Sequence, residues 1–419
     1  MQHPILIVGG GLAGGNAAKT LRQEGFSGPI QIIAAERREP YIRPPLSKEF
    51  LRGKEDESAL AVNPPRWYEE NDVELLTGRH AVQLVHDAHI LRLDTDALLP
   101  YSRLLIATGA SPRGLAIPGA QLEGVHTLRR VEDSIALKDE LSRGGRRVLL
   151  VGSGWIGLEV AFAAREYGNE VTVLGRHSSV LRQLEPPLGD VFQRAQEDLG
   201  VGFRLPAHPV ELLPGADGEC VAAAVLDTGE RLGADLVVVA VGVEPETALA
   251  EEAGLRMGDG IQTDASMRTS APDVFAAGDV ASSLQPATGD HVRSEHWHNA
   301  LTGGKIAARA MLGQDARLDN PPYFYTDQAG LSMEYSGYTQ LARGAKLVLR
   351  GRIDSVEDAR AGFVALWLRD GAVVAGMNVN TPKQQKAIKA LIASKAPVGE
   401  ARLADTSVPL PELAGVQQA

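Results

Sequence analysis

The sequence predicts an α/β protein that carries the same parallel strand–helix–strand unit twice. Three observations support this. A G-x-G-x-x-G fingerprint closes an apolar strand at Gly9, Gly11 and Gly14, and a second closes another at Gly152, Gly154 and Gly157. Each fingerprint is followed by a helix-forming stretch and then a second apolar strand. The chain has 419 residues, too many for one ordinary core, so two or three domains are expected.

The first unit opens on ILIV, residues 5–8, the run expected of a strand buried on both faces. Gly9 permits the tight turn, Gly11 lets backbone approach a pyrophosphate, and Gly14 lets the helix pack on the strand. Leu12 and Ala13 begin that helix, whose N-terminus offers free N–H groups and a positive dipole end to phosphates. The next strand, 30–34, ends near Glu36, a carboxylate that can accept from ribose hydroxyls. A further strand, RLLIATG at 103–109, ends in Ala107, Thr108 and Gly109.

The second unit repeats this order. Val148–Val151 leads into Gly152 and Gly154, then a helix from about Trp155 and Ile156 through Gly157 and Glu159, with Gly168 as a C-cap glycine. The following strand, Val171–Leu174, ends in Gly175-Arg176-His177, without the acid usual in such a unit. The run LVVVAVG, 236–242, closes on Gly242. Two dinucleotide sites imply two nucleotides, and a flavin with a nicotinamide is the natural electron-passing pair. In 261–281 a strand over 274–276 runs into Gly278 and Asp279. Asp279 can hold a ribityl hydroxyl, with the next helix N-terminus facing phosphate or flavin; the competing reading is a helix N-cap.

Hydrophobic content of 44% and charged content of 23% suit a soluble globular protein. The longest strongly apolar run, 236–243, is far short of the ~20 residues of a membrane span. No signal peptide is visible before the first strand, and a cytoplasmic location is expected. The net charge of −11 argues against nonspecific nucleic-acid binding. The single cysteine, Cys220, excludes an internal disulfide or a CxxC pair.

With these motifs in place, the sequence resembles the FAD-dependent pyridine-nucleotide reductases of glutathione-reductase structural type. EPYIRPPLSKEFL (39–51), EHWHNA (295–300) and PPYFYTDQ (321–328) are similar to signatures of the ferredoxin reductases that serve bacterial oxygenases, the putidaredoxin reductase and biphenyl dioxygenase reductase group. The fold so implied has two Rossmann-like dinucleotide-binding domains, for FAD and NAD(P), plus a C-terminal α/β domain. The ranges implied are 1–112 and 246–320 for FAD, 113–245 for NAD(P), and 321–419 for the C-terminal domain. Disulfide reductases of this type need a CxxxxC pair beside the flavin, and peroxidase or oxidase relatives need one cysteine there; PPLSKEF has none. Electrons are therefore expected to leave singly for an external acceptor.

The resemblance also assigns roles. Lys48, after the stiffening pair Pro44-Pro45, would lie against the flavin near N5 and compensate the anionic reduced ring. Arg43 would neutralise pyrophosphate. Glu159 would sit near the nicotinamide amide and pair with Lys48. Trp297 would lie beside the isoalloxazine on an electron-exit route, with Glu295 and His296 at a helix start that stabilises reduced flavin. Lys48, Glu159 and Trp297 are thus the catalytic candidates. His296 and His298 stand i, i+2 on different helix faces, so no metal site is expected. PPYFYTDQ departs from the group at Phe324 and Tyr325, where an aromatic followed by Trp is common.

The expected partner is an acidic [2Fe–2S] ferredoxin, docking near Lys386 and Lys389 with Arg309 joining and Lys383 and Lys395 flanking. No membrane or nucleic-acid partner is expected, and the protein is expected to be a monomer or homodimer. Rubredoxin reduction and an apoptosis-inducing-factor-like binding switch are the competing functions. The donor stays open as NADH or NADPH: the group mostly prefers NADH, yet Gly175 removes the acid that repels a 2′-phosphate. Arg176 could bind that phosphate, assisted by His177 or Arg182.

Overall fold

A computed structural model describes residues 3–414. The chain folds as two compact units, one of Met1–Arg43, Glu57–Ser111 and Val243–Pro322, the other of Pro44–Asp56, Pro112–Gly242 and Tyr323–Ala419.

The first unit is built on a five-stranded parallel sheet in the order Val274–Ala276, Arg103–Ile106, Ile5–Val8, Ile30–Ala34, Val73–Thr77. Its central strand is buried at every residue, as parallel sheets covered on both faces require. Alternation divides the strand residues between two cores. Ile5 and Ile7 join Ala13, Ala17, Leu21 and Ile306 under helices Leu12–Gln23 and Trp297–Met311. Leu6 and Val8 join Leu84, Leu91, Leu104 and Ile106 on the other face. The two helices meet at Gly304, where a Cβ would stand 2.3 Å from the Ala13 carbonyl oxygen, so only glycine permits the approach.

The second unit repeats the sheet, in the order Val201–Arg204, Glu170–Leu174, Arg147–Val151, Leu236–Val239, Val125–Thr127, again all parallel. Its C-terminal part is a five-stranded antiparallel sheet, Tyr323–Gln328, Leu331–Gly337, Ala372–Val379, Phe363–Arg369, Lys346–Arg350. Helix Gln385–Ser394 packs on it through Ile388, which reaches toward Gly376. Leu158 and Val180 share one apolar cluster with Tyr335, Phe363 and Trp367, and 112–242 and 323–414 fall in the same compact unit.

One segment of the expected first range, 1–112, groups with the other compact unit. Residues 44–56 belong to the second unit. Leu51 is fully buried with Leu137, Val148 and Val160, the Ser134 hydroxyl donates to the Leu46 carbonyl at 2.8 Å, and Arg52 pairs with Glu166. Among the described residues no helix is long and apolar enough to cross a membrane.

Candidate functional site

The first fingerprint forms a cradle. Gly9 adopts φ +131°, and a Cβ there would lie 2.0 Å from the Ala107 carbonyl oxygen. A Cβ on Gly14 would lie 2.2 Å from the Gly9 oxygen, whereas Gly11 has nothing within 4 Å. Two glycines are thus demanded by the protein itself, and the third opens onto free space. Helix Leu12–Gln23 starts from Gly11 with no side-chain cap, so its first N–H groups are left for a ligand. This arrangement fits a dinucleotide pyrophosphate. Behind it, Ala107 donates to the Val8 carbonyl at 2.7 Å and the Thr108 hydroxyl donates to the Glu246 carbonyl at 2.7 Å, before Gly109 turns at φ +76°.

Glu36 stands past the second strand. It accepts from the Tyr41 hydroxyl at 2.5 Å and from Arg43 at 2.8 Å, while the Arg43 guanidinium lies 4.9 Å from the Tyr41 ring centre. Burial works against the Arg43 charge, but Tyr41, Glu36 and Asp279 hold its pKa above the ordinary value. Arg43, expected to neutralise pyrophosphate, is here the partner of the ribose-binding candidate. Gly278 turns at φ +83° into Asp279, and strand Ala281–Leu284 follows. The helix expected directly after Asp279 is not formed, so the N-cap reading of that residue falls.

The helix that does follow starts at Trp297, with His296 as its N-cap residue. His296 is half-buried; desolvation, opposed by Asp279, pushes its imidazole down to about 4. It is therefore neutral at physiological pH, in keeping with a position at the positive end of a helix. Trp297 is half-buried, and exposed Glu295 pairs with Arg293 at 2.7 Å. No cluster of three metal-binding side chains occurs among the described residues.

The second fingerprint reproduces the first. Gly152, at φ +124°, would bring a Cβ 2.1 Å from the Ala240 oxygen; Gly157 would bring one 2.0 Å from the Gly152 oxygen; Gly154 is open. Helix Trp155–Glu166 again starts uncapped. Ile156 and Val241 are exposed at 43% and 39%, apolar surface that a bound nucleotide would cover. Gly242 turns at φ +105° beside them in sequence. The Trp155 ring packs 5.4 Å from Phe192 and 5.3 Å from Phe324. Gly175 is buried, and Arg176 is exposed.

The second unit also holds a buried ionic cluster. Lys48 and Glu159 form an ion pair with each side chain 5% exposed. Glu159 further accepts from the Ser47 hydroxyl and the Thr326 hydroxyl, both at 2.5 Å. Gln328 donates to Thr326 at 3.1 Å, and Gln196 donates to Gln328 at 2.9 Å. Lys48 also lies 5.7 Å from the Tyr325 ring centre. Four hydrogen-bonding partners thus extend the pair that the sequence suggested. Ser47, Thr326, Gln328 and Gln196 were not singled out from sequence. The available signal was Thr326 and Gln328 alternating on the buried side of strand Tyr323–Gln328, where apolar residues are expected. Pro45 lies in the short helical turn Pro44–Ser47 that presents Ser47 and Lys48.

On helix Gln385–Ser394, Lys386 is exposed, but Lys389 is half-buried 4.5 Å from the Tyr323 ring centre, and desolvation lowers its pKa against the pull of Glu334. Arg309 is paired with Glu24 at 2.8 Å. A cavity of about 530 Å³ beside Arg103, Arg268 and Asp273 contains none of the expected site residues.

Comparison with known proteins agrees with this geometry. Residues 3–304 match the family Pyridine nucleotide-disulphide oxidoreductase, and residues 323–414 match the family Reductase C-terminal. The chain is 36% identical over 409 residues to the anthranilate 1,2-dioxygenase system ferredoxin–NAD(+) reductase component of Burkholderia cepacia, covering 97% of this chain and 98% of that one. It is 36% identical over 385 residues to a rubredoxin–NAD(+) reductase of Pseudomonas putida, covering 92% and 97%. Among solved structures it superposes on the covalent putidaredoxin reductase–putidaredoxin complex with a TM-score of 0.93 at 31% identity, covering 99% and 98% of the two chains.

Proposed function

This chain belongs to the pyridine nucleotide-disulphide oxidoreductase family, and from that premise we propose that it is the flavoprotein reductase of an oxygenase system. It takes hydride from a nicotinamide dinucleotide and delivers single electrons to a [2Fe–2S] ferredoxin. The observation that carries this reading is the pair of complete glycine cradles in a chain whose segment 44–56 holds no cysteine. Cys220 is exposed, and hydrogen bonding with Asp217 raises its pKa, so it stays a thiol and not a reactive thiolate. With one cysteine in the sequence no internal dithiol relay is available, which supports electrons leaving the flavin for an external acceptor.

FAD, when bound, supplies the step from two-electron to one-electron transfer. Gly9, Gly11, Leu12, Ala13 and Gly14 would receive its pyrophosphate on backbone N–H groups. Glu36, held by Tyr41 and Arg43, would accept from ribose, and Asp279 from ribityl hydroxyls. His296, neutral, would leave the uncapped N–H groups of its helix to face the ring. Gly152, Gly154 and Gly157 would receive the donor's pyrophosphate. Lys48 is assigned the charge that compensates the reduced ring, with Glu159 holding the ammonium and Thr326 and Ser47 holding Glu159. Trp297 is assigned to the electron exit. For docking of an acidic ferredoxin, Lys386 is the exposed residue at the centre of the expected patch, and Lys383 and Lys395 that flank it are exposed too.

The test is steady-state reduction of a purified [2Fe–2S] ferredoxin and of a rubredoxin by the FAD-loaded enzyme. Faster ferredoxin reduction supports the proposal. Faster rubredoxin reduction supports the second reading, which the Pseudomonas relative favours. Ferricyanide reduction with neither iron protein reduced would sink both.

A further inference from the structure

The strand tip after Leu174 has a structure of its own. In a unit that binds NAD, the residue here is an acid that accepts from both ribose hydroxyls and repels a 2′-phosphate. Gly175 occupies it, and the space its side chain would take is filled. A Cβ at Gly175 would meet Ser153 Oγ at 2.5 Å and Leu205 Cδ2 at 2.7 Å. Ser153 is the middle residue of the Gly152–Gly154 turn. A neutral hydroxyl therefore stands where the carboxylate's stem would begin.

The loop that follows is tied to the same turn. The Leu181 N–H donates to the Ser153 carbonyl at 3.0 Å, and the Gly152 N–H donates to the Leu174 carbonyl at 2.9 Å. This holds 176–182 against the fingerprint. The loop exposes Arg176, His177 and Arg182, with Arg182 Nη1 3.4 Å from His177 Nε2. Neither arginine has a carboxylate partner among the described residues. In a chain with 53 acidic and 42 basic side chains, this loop places two exposed arginines beside a nucleotide cradle.

We propose that this loop binds the 2′-phosphate of the donor's adenosine, so that the enzyme takes NADPH in preference to NADH. Arg176 and Arg182 supply charge-assisted donors to the phosphate, His177 braces Arg182, and the absence of an acid at Gly175 removes the repulsion. The inference rests on the second unit binding a nicotinamide dinucleotide, and it adds the chemical class of that nucleotide. The relatives named above carry NAD(+) in their names, so this chain would differ from them at the ribose.

The probes are adenosine 2′,5′-bisphosphate, 5′-AMP and inorganic phosphate, titrated calorimetrically onto the FAD-loaded enzyme. Binding of the bisphosphate at least tenfold tighter than 5′-AMP is expected, with the kcat/KM ratio of NADPH to NADH above one. In Arg176→Ala and Arg182→Ala both ratios should fall several-fold. Because each is a ratio within one protein, a partly misfolded variant cannot imitate the result. Equal binding of the two nucleotides, ratios unchanged in both variants, or inorganic phosphate binding as tightly as the bisphosphate would overturn the proposal. Binding of no nucleotide at all would instead overturn the reading of the second unit.

Discussion

Replacing Glu159 with leucine isolates the buried pair. The carboxylate is 5% exposed and carries Lys48, Ser47 and Thr326. Its loss leaves a buried ammonium and two buried hydroxyls without their acceptor. Breaking a buried ion pair from one side costs about 3–5 kcal/mol. A domain of this size shifts its melting temperature by about 2–4 °C per kcal/mol, so a fall of roughly 6–20 °C is expected. The double variant Lys48→Met/Glu159→Leu removes both charges and should recover most of that loss, since apolar replacement of a whole buried pair is often neutral. Calorimetry of wild type, both single variants and the double variant measures the coupling directly. A Glu159→Leu loss under about 1 kcal/mol, or a double variant as damaged as the two singles summed, would refute the claim that the pair is closed to water and mutually dependent.

Three further outcomes are expected. Gly157→Ala places a Cβ 2.0 Å from a carbonyl oxygen and should destabilise the enzyme, whereas Gly154→Ala has open space and should raise the donor KM with little change in melting temperature. His296 titrates near 4 when folded against 6.5 unfolded, so the unfolded chain takes up a proton first as pH falls. Stability should be full above about pH 6.5 and decline toward pH 4 by at most about 3 kcal/mol, a slope that His296→Gln removes in unfolding measured across that range. Lys386→Glu should raise the apparent KM for ferredoxin several-fold and leave ferricyanide reduction intact, while Lys389→Glu also disturbs stability because Lys389 packs on Tyr323.

Much of the cofactor architecture could be read directly from residue order. Gly9, Gly11 and Gly14, and their counterparts at Gly152, Gly154 and Gly157, act through backbone geometry within a few residues of themselves, so spacing alone reveals them. The apolar strands that flank them are equally local, because burial on both faces demands unbroken hydrophobic runs. The missing acid at Gly175 was visible for the same reason.

What tertiary structure decided concerns groups far apart in the chain. Glu159 draws its partners Ser47, Lys48 and Thr326 from two distant segments that no periodicity links to it. Residues 44–56 leave the first unit because Leu51 finds its apolar surroundings among Leu137, Val148 and Val160. Arg309 looked like a free basic residue until Glu24, 285 positions away, was found beside it. Lys389 shares a helix with Lys386, yet one ammonium is half-buried over an aromatic ring and the other is in water. Sequence determines which backbone can cradle a phosphate, because that is a matter of local sterics. Which charges are paired, buried or free is set by three-dimensional packing, because Coulomb attraction and desolvation act across space and take no account of chain distance.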